Sequence, residues 1–289
     1  MTPFAEFRFA SSDGVDVACV RWDSRGPERG VVQIAHGMGE HIGRYAGTIE
    51  ALTSAGLTVY GNDHRGHGRT AVSDALLGDF GEGGFDFLVN DMIRLSCIAK
   101  KEKPGAPLIL LGHSMGSFAS QQYVIDHSRE IDGLILSGSG ALDGLARVAS
   151  SAPAGTNFLN APFEPARTPF DWLSRDDAVV DAFINDPLCF AELKPAAQAS
   201  FLAAAPRLSD PAGLRRIRSD LPVYLFSGSD DPVGQQLAGV QVLIERYREA
   251  GIDDISHEFY LGGRHEMLNE INRDEVQARL LGWIAAVLK

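Results

Sequence analysis

Residues 108–122 read LILLGHSMGSFASQQ: four aliphatic residues run straight into Gly112-His113-Ser114-Met115-Gly116, and a helix-compatible stretch follows. An unbroken apolar run of this length, closed by glycine, reads as a strand buried on both faces. A chain that leaves such a strand through Gly-x-Ser-x-Gly and enters a helix near Met115 or Gly116 has the strand–turn–helix order of a nucleophile elbow. The turn holds the serine in a strained conformation, and only small flanking residues let neighbouring backbone pass close by. The first amides of the helix then point to where negative charge develops. With 31 glycines in the chain the pentapeptide also arises by chance, so its setting carries the reading.

Outward from the elbow, short apolar runs alternate with longer amphipathic stretches. Residues 15–22, 31–35, 57–60, 133–136, 223–226 and 257–260 read as strands, and 45–55, 85–101, 240–249 and 275–288 as helices. This alternation predicts an α/β fold with right-handed crossovers: a mainly parallel sheet of about eight strands, flanked by helices. It breaks between about 141 and 220, where no strand signal occurs and Pro153, Pro162, Pro165, Pro169, Pro187 and Pro195 punctuate short helical patches. So long a stretch between two strand signals is expected to be a mostly helical cap, 141–220, inserted after the sixth strand into a core made of 1–140 and 221–289.

The 289 residues suffice for one large α/β domain, and a net charge of −12 opposes nucleic-acid binding and weakens attraction to anionic lipid. Cys19, Cys97 and Cys189 are few, odd in number and widely spaced, which is neither a disulfide framework nor a zinc site and suits a reducing compartment. The start, MTPFAEFRFASSDG, lacks a basic segment followed by an apolar one, and no apolar run approaches the length of a membrane span. A cytoplasmic protein without a transmembrane segment is expected.

A serine hydroxyl is a poor nucleophile near neutral pH and needs a base beside it. The expected order along the chain is serine, acid, histidine. Of the eight histidines, His36, His41, His64 and His67 precede the serine, His113 and His127 flank its helix, and His257 lies in a strand signal. His265, in the loop between the last strand and the last helix, fills the vacancy. For the acid, the strand at 223–226 runs into Ser227-Gly228-Ser229-Asp230-Asp231-Pro232. Either aspartate is a candidate to face the histidine; Asp231 is preferred, because the Gly-x-x-Asp spacing places it past the turn and Pro232 fixes the chain beyond it, with Asp230 as a turn residue. A tetrahedral intermediate also needs two backbone donors. One is expected from Met115, the residue after the nucleophile, and one from Met38, in the glycine-rich loop His36-Gly37-Met38-Gly39 after the third strand.

HGMGEH with GRY behind it, NDHRGHGRT at 62–70, GHSMG at 112–116, GSDDPV at 228–233 and GGRHEMLNE at 262–270 together resemble the monoacylglycerol lipase and lysophospholipase branch of the α/β-hydrolase superfamily, over nearly the whole chain. The resemblance implies Ser114, Asp231 and His265 as a triad and the Met38 and Met115 amides as the oxyanion hole. It further implies a carboxylic ester substrate, often with one acyl chain, cleaved through an acyl-enzyme, and no cofactor. Relatives with this pattern include carboxylesterases and serine aminopeptidases, so amide, peptide or thioester cleavage and acyl transfer stay open, as does a non-catalytic scaffold role. Neither the histidine-rich run at 63–70 nor HEMLN at 265–269 matches a zinc motif, and no metal is expected; 63–70 reads as a braced turn in which Asp63 and Arg65 satisfy backbone and charge. Within the expected cap, Phe158, Leu159, Phe170, Trp172, Phe183 and Leu188 are candidates to line an acyl tunnel or to touch lipid transiently, although packing onto the sheet would use most such residues too. Lipid or small-molecule esters are thus the expected partners; oligomeric state is not legible.

Overall fold

The computed structural model describes residues 4–153 and 156–289. Its centre is an eight-stranded sheet of β1 (Phe4–Ala10), β2 (Asp16–Trp22), β3 (Gly30–Ala35), β4 (Leu57–Asn62), β5 (Leu108–His113), β6 (Gly133–Ser137), β7 (Val223–Gly228) and β8 (Ile255–Tyr260). The spatial order is β1-β2-β4-β3-β5-β6-β7-β8, antiparallel at β1–β2 and β2–β4 and parallel from β4 onward. Helices α1 (Ala46–Ser54), α2 (Gly84–Glu102) and α3 (Met115–His127) precede β6; α4 (Leu142–Ser151), α5 (Asp177–Asn185), α6 (Pro195–Leu202), α7 (Ala205–Ser209) and α8 (Pro211–Leu214) lie between β6 and β7; α9 (Ala238–Glu249) and α10 (Arg273–Val287) follow.

Strands β3 to β7 are buried along their whole length, which explains their unbroken apolar sequences. Successive side chains still go to opposite faces. Val31, Leu108, Leu110, Leu134 and Leu225 join Leu88 and Met92 of α2, Phe118 of α3 and Leu243 of α9 on one side. Val32, Ile109, Leu111, Ile135 and Phe226 join Leu52 of α1 and Leu280 and Ile284 of α10 on the other. One expectation needs correction. The strand signals miss β1, whose half-buried or buried Ala5, Phe7 and Phe9 alternate with exposed Glu6, Arg8 and Ala10; a half-exposed antiparallel strand announces itself by alternation, not by an apolar run.

Among the described residues, the span between β6 and β7 is helical and contains no strand. It is also continuous with the body. Phe201, Leu208, Leu214 and Ile217 share the buried cluster of the sheet's first face, and the Phe201 ring sits 5.1 Å from Phe85 and 5.7 Å from Phe118. The later part of this insertion thus serves the main core.

The polar run after β4 is a braced turn. Asp63 accepts hydrogen bonds from the N–H groups of Ile42 (3.0 Å) and Arg69 (2.9 Å), and Arg65, 1% exposed, donates to Asp91, Asp13, Ser11 and the Phe80 carbonyl. Beside it, His36, His64 and His67 are fully buried, with ring centroids 4.2 Å apart for His36–His64 and 5.3 Å for His36–His67. The His64 N–H donates to His36 Nε2 at 2.9 Å, so the His36 proton resides on Nδ1, which donates to the Gly37 carbonyl. Burial, and then the proximity of His36, pushes His67 down to about 3 and His64 well below the usual imidazole value of 6.5; burial also lowers His36. These imidazoles are neutral when folded and protonate when unfolded, so stability is present above pH 6.5 and is lost as pH falls below it. At pH 5 the loss should reach about 2 kcal/mol for His67, with His64 contributing in the same direction. Denaturant midpoints measured from pH 8 to pH 5 should fall below pH 6.5, and His67→Gln should flatten the slope by about one proton; a midpoint flat over that range would contradict this electrostatic account.

Candidate active site

Four loops leave the carboxyl ends of β3, β5, β7 and β8 and carry Met38, Ser114, Asp231 and His265. The turn after β5 is sterically determined. A Cβ at Gly112 would lie 2.4 Å from Ser120 Oγ and 2.5 Å from the Gly116 carbonyl oxygen, and one at Gly116 would lie 2.2 Å from the Ala35 carbonyl oxygen. With both neighbours reduced to glycine the chain turns at Ser114, whose φ of 52° and ψ of −122° fall where non-glycine residues are strained. The Ser114 N–H is held by the Ser137 carbonyl at 2.9 Å, and its carbonyl accepts from Ser117 N (2.8 Å) and Ser117 Oγ (2.6 Å).

Of the two candidate aspartates, Asp231 is buried and Asp230 exposed. Asp230 bonds to Ser229 Oγ in the turn, whereas Asp231 Oδ1 accepts from His265 Nδ1 at 3.0 Å and from Val233 N at 2.9 Å. The carboxylate fixes the tautomer, since Nδ1 donates to it and Nε2 is left as the basic nitrogen. Burial of the imidazole disfavours its charge, but the Asp231 charge and hydrogen bond, with Glu266 and Glu40 behind, outweigh it and raise the His265 pKa above the usual value. Its ring is flanked by His113, at 4.7 Å between centroids, and by Trp172, at 4.9 Å. Burial, and then His265, pushes His113 down to about 4, so this neighbour is uncharged near neutral pH.

Met115 opens α3, so its N–H is among the four that find no acceptor within a helix. Met38 lines the same cavity as Ser114 and His265. The preceding Gly37 N–H is already used, donating to Glu40 Oε1 at 2.5 Å. Glu40 anchors a buried cluster that sequence reasoning did not find: Tyr45 Oη donates to Oε1 (2.7 Å) and Arg44 to Oε2 (2.8 Å), while Arg44 forks onto Glu266 at 2.6 and 2.8 Å. Burial works against these charges, yet Arg44 together with His113 and His36 holds the Glu40 carboxyl down at about 2. The oxyanion loop and the histidine loop are thereby joined through one guanidinium. No sequence pattern announces a pair 222 positions apart, although Glu40 and Arg44 are one helical turn apart.

Ser114, His265 and Met38 face a cavity of about 40 Å³, walled by Phe170, Trp172, Leu173, Phe183 and Phe190 of the insertion. A second cavity of about 550 Å³, lined by Phe158 and Leu159, shares Met38, Phe170, Trp172 and Ala191 with the first. Five of the six insertion residues singled out from sequence thus border these two spaces. Leu188 lines neither; half-buried, it follows α5 in a turn where its N–H donates to Asp186 at 2.9 Å. That turn presents Asp186 to His41, with Cys189 close by, and a nitrogen, an oxygen and a sulfur fall within 4.8 Å of one another. His41 Nδ1 accepts from the Gly43 N–H (3.2 Å), so Nε2 carries the proton and donates to Asp186 (2.9 Å). His41 and Asp186 form a hydrogen-bonded tie between the loop after β3 and the insertion, with His41 in the wrong tautomer for Nε2 ligation of a metal.

The chain as a whole is similar to known proteins. The chain matches the serine aminopeptidase, S33 family over residues 26–272. It is 32% identical to the monoacylglycerol lipase of Mycolicibacterium smegmatis over 98% of both chains, and 28% identical to the monoglyceride lipase of Mus musculus over 90% of this chain and 83% of that one. Among solved structures, a thermostable carboxyl esterase from Bacillus coagulans, crystallised with glycerol, superposes with a TM-score of 0.89 at 29% identity, with full coverage of both chains. The chain therefore belongs to the serine aminopeptidase S33 family of α/β-hydrolases, in its monoacylglycerol lipase-like branch.

Proposed function

We propose that this protein is a serine hydrolase that cleaves carboxylic esters of the monoacylglycerol type through an acyl-enzyme, with Ser114 as nucleophile, His265 as base and Asp231 as its orienting acid. One observation carries the reading: a strained Ser114 and an Asp231-bonded His265 line a single cavity beneath an apolar insertion. Ser114 Oγ attacks the acyl carbonyl while His265 Nε2 takes its proton, and Asp231 stabilises the imidazolium. The oxyanion rests on the Met38 and Met115 amides, each worth about 3 kcal/mol. His265 then protonates the leaving alcohol, and water returns through the same base to release the acid.

Residues 141–220 act, in this reading, as a cap that shapes the acyl site. Phe158 and Leu159 in the larger cavity would hold the chain, with Phe170, Trp172 and Phe183 nearer the carbonyl. Val148 and Ile184, each 44% exposed, give the cap apolar points for transient contact with a lipid surface. No helix among the described residues is long and apolar enough to cross a membrane. Three free cysteines support placement in the cytoplasm.

Ser114→Ala should lower kcat on an aryl ester by roughly 10⁴- to 10⁶-fold and abolish fluorophosphonate labelling while leaving the circular dichroism spectrum unchanged. Near-normal turnover would mean another nucleophile. Because the His265 pKa is raised, kcat/KM should fall on the acid side through an apparent pKa above 6.5. Asp231→Asn should move that limb downward and cut kcat by about 10⁴-fold. Across monoacylglycerols of graded chain length, kcat/KM should rise as the chain fills the larger cavity; a flat series, or faster cleavage of aminoacyl amides than of esters, would reassign the substrate.

A further inference from the structure

Glu270 lies five residues beyond His265, is fully buried and takes no part in the chemistry above. Both its oxygens are occupied. Oε1 accepts from the backbone N–H of Arg264 (3.1 Å) and of Arg175 (3.0 Å); Oε2 accepts from Arg175 Nε (3.0 Å) and from Ile271 N (2.8 Å). Two of these donors belong to the loop that carries His265, and two belong to the insertion.

The same two segments are zipped along their backbones. The His265 N–H donates to the Trp172 carbonyl (3.3 Å) and the Glu266 N–H to the Leu173 carbonyl (2.7 Å), while the Arg264 guanidinium reaches back to the carbonyls of Asp171 (2.5 Å) and Ser174 (3.1 Å). The Trp172 ring lies against the His265 imidazole. A carboxylate that accepts four N–H bonds in a dry setting is strongly held, and removing it would leave four buried or half-buried donors without an acceptor.

We propose that Glu270 is a positioning residue that fixes the His265 loop and the 171–175 segment of the insertion as one rigid unit, so that this segment is part of the catalytic frame and not of any moving lid. The inference rests on His265 being the base of the reaction proposed above. Misplacing a catalytic group by about an ångström costs up to ~100-fold in rate, which sets the scale of the effect.

The test uses the full-length protein and a small soluble aryl ester, with kcat expressed per folded molecule as counted by circular dichroism. In Glu270→Gln the amide NH₂ must face either the Oε1 donors or the Oε2 donors, so one pair of bonds is lost. The expected result is a kcat lowered about 10- to 100-fold with KM essentially unchanged. Arg175→Met removes only the guanidinium and should lower kcat by a smaller factor in the same direction. Because both act through one carboxylate, the double variant should be little worse than Glu270→Gln alone. An unchanged kcat per folded molecule accompanied by a lower Tm would make the cluster a stability element only, and strictly multiplicative losses in the double variant would mean that the two residues do not act through one carboxylate; either result overturns the proposal. If Glu270→Gln does not fold, Arg175→Met decides: an unchanged kcat overturns the proposal. Ser114→Ala, run alongside, separates the two levels. Activity surviving there undermines the assignment of the base, whereas inactivity there with normal kcat in Glu270→Gln undermines this inference alone.

Discussion

The constraint on which the site depends is how closely the exit of β3 passes the turn after β5. Gly116 lies against the carbonyls of Ala35 and His36, and a Cβ placed on Gly37 would stand 3.0 Å from Ser114 Cβ. The Ser114 turn and the loop after β3 are therefore set by close approach of bare backbone, not by side chains that could choose another rotamer. A Cβ at 116 would meet the carbonyls of Ala35 and His36 at the exit of β3, and one at 112 would meet Ser120 Oγ and the Gly116 carbonyl in the first turns of α3. The strain at Ser114 persists because β5, α3 and the Ser137 carbonyl over-determine the turn.

Around that contact the molecule buries an unusual amount of charge. Glu40, Arg44, Glu266 and Glu270 are all removed from water or nearly so, and each carboxylate accepts two or more hydrogen bonds. Such groups are weak contributors to net stability, because desolvation consumes much of the Coulomb gain. What they do here is geometric. Glu40 holds the Gly37 amide, Arg44 ties Glu40 to Glu266, and Glu270 ties the His265 loop to the insertion. Loops that alone would be mobile become as well defined as the strands they leave.

How much of this was legible in the sequence follows from the range of each interaction. Strands β3 to β7 were readable because full burial makes them continuous apolar runs, and the elbow because its glycines answer a local steric demand. β1 carried its own signal, the alternation of Phe7 and Phe9 with Glu6 and Arg8, but an alternating edge strand is easily passed over beside stronger runs. Spacing could favour Asp231 over Asp230; only the fold makes one buried and the other exposed. The Arg44–Glu266 and Arg175–Glu270 pairs join residues far apart along the chain, and no local pattern encodes such meetings. The insertion was visible as a break in alternation, but its short helices hide which side chains face the sheet, so Phe201 and Leu208, which serve the core, looked the same as Phe170 and Phe183, which face the serine.

The space beside Ser114, about 40 Å³, has room for a water or two. The larger cavity begins at the walls the two share, Met38, Phe170, Trp172 and Ala191. Trp172 is moored through its carbonyl to His265 and through its neighbours to Glu266 and Arg264. Phe190 in turn donates its N–H to the Gly39 carbonyl, which ties the insertion to the loop that leaves β3 as well. The aromatic walls of the cavity are thus tethered by backbone bonds to two of the loops that border it.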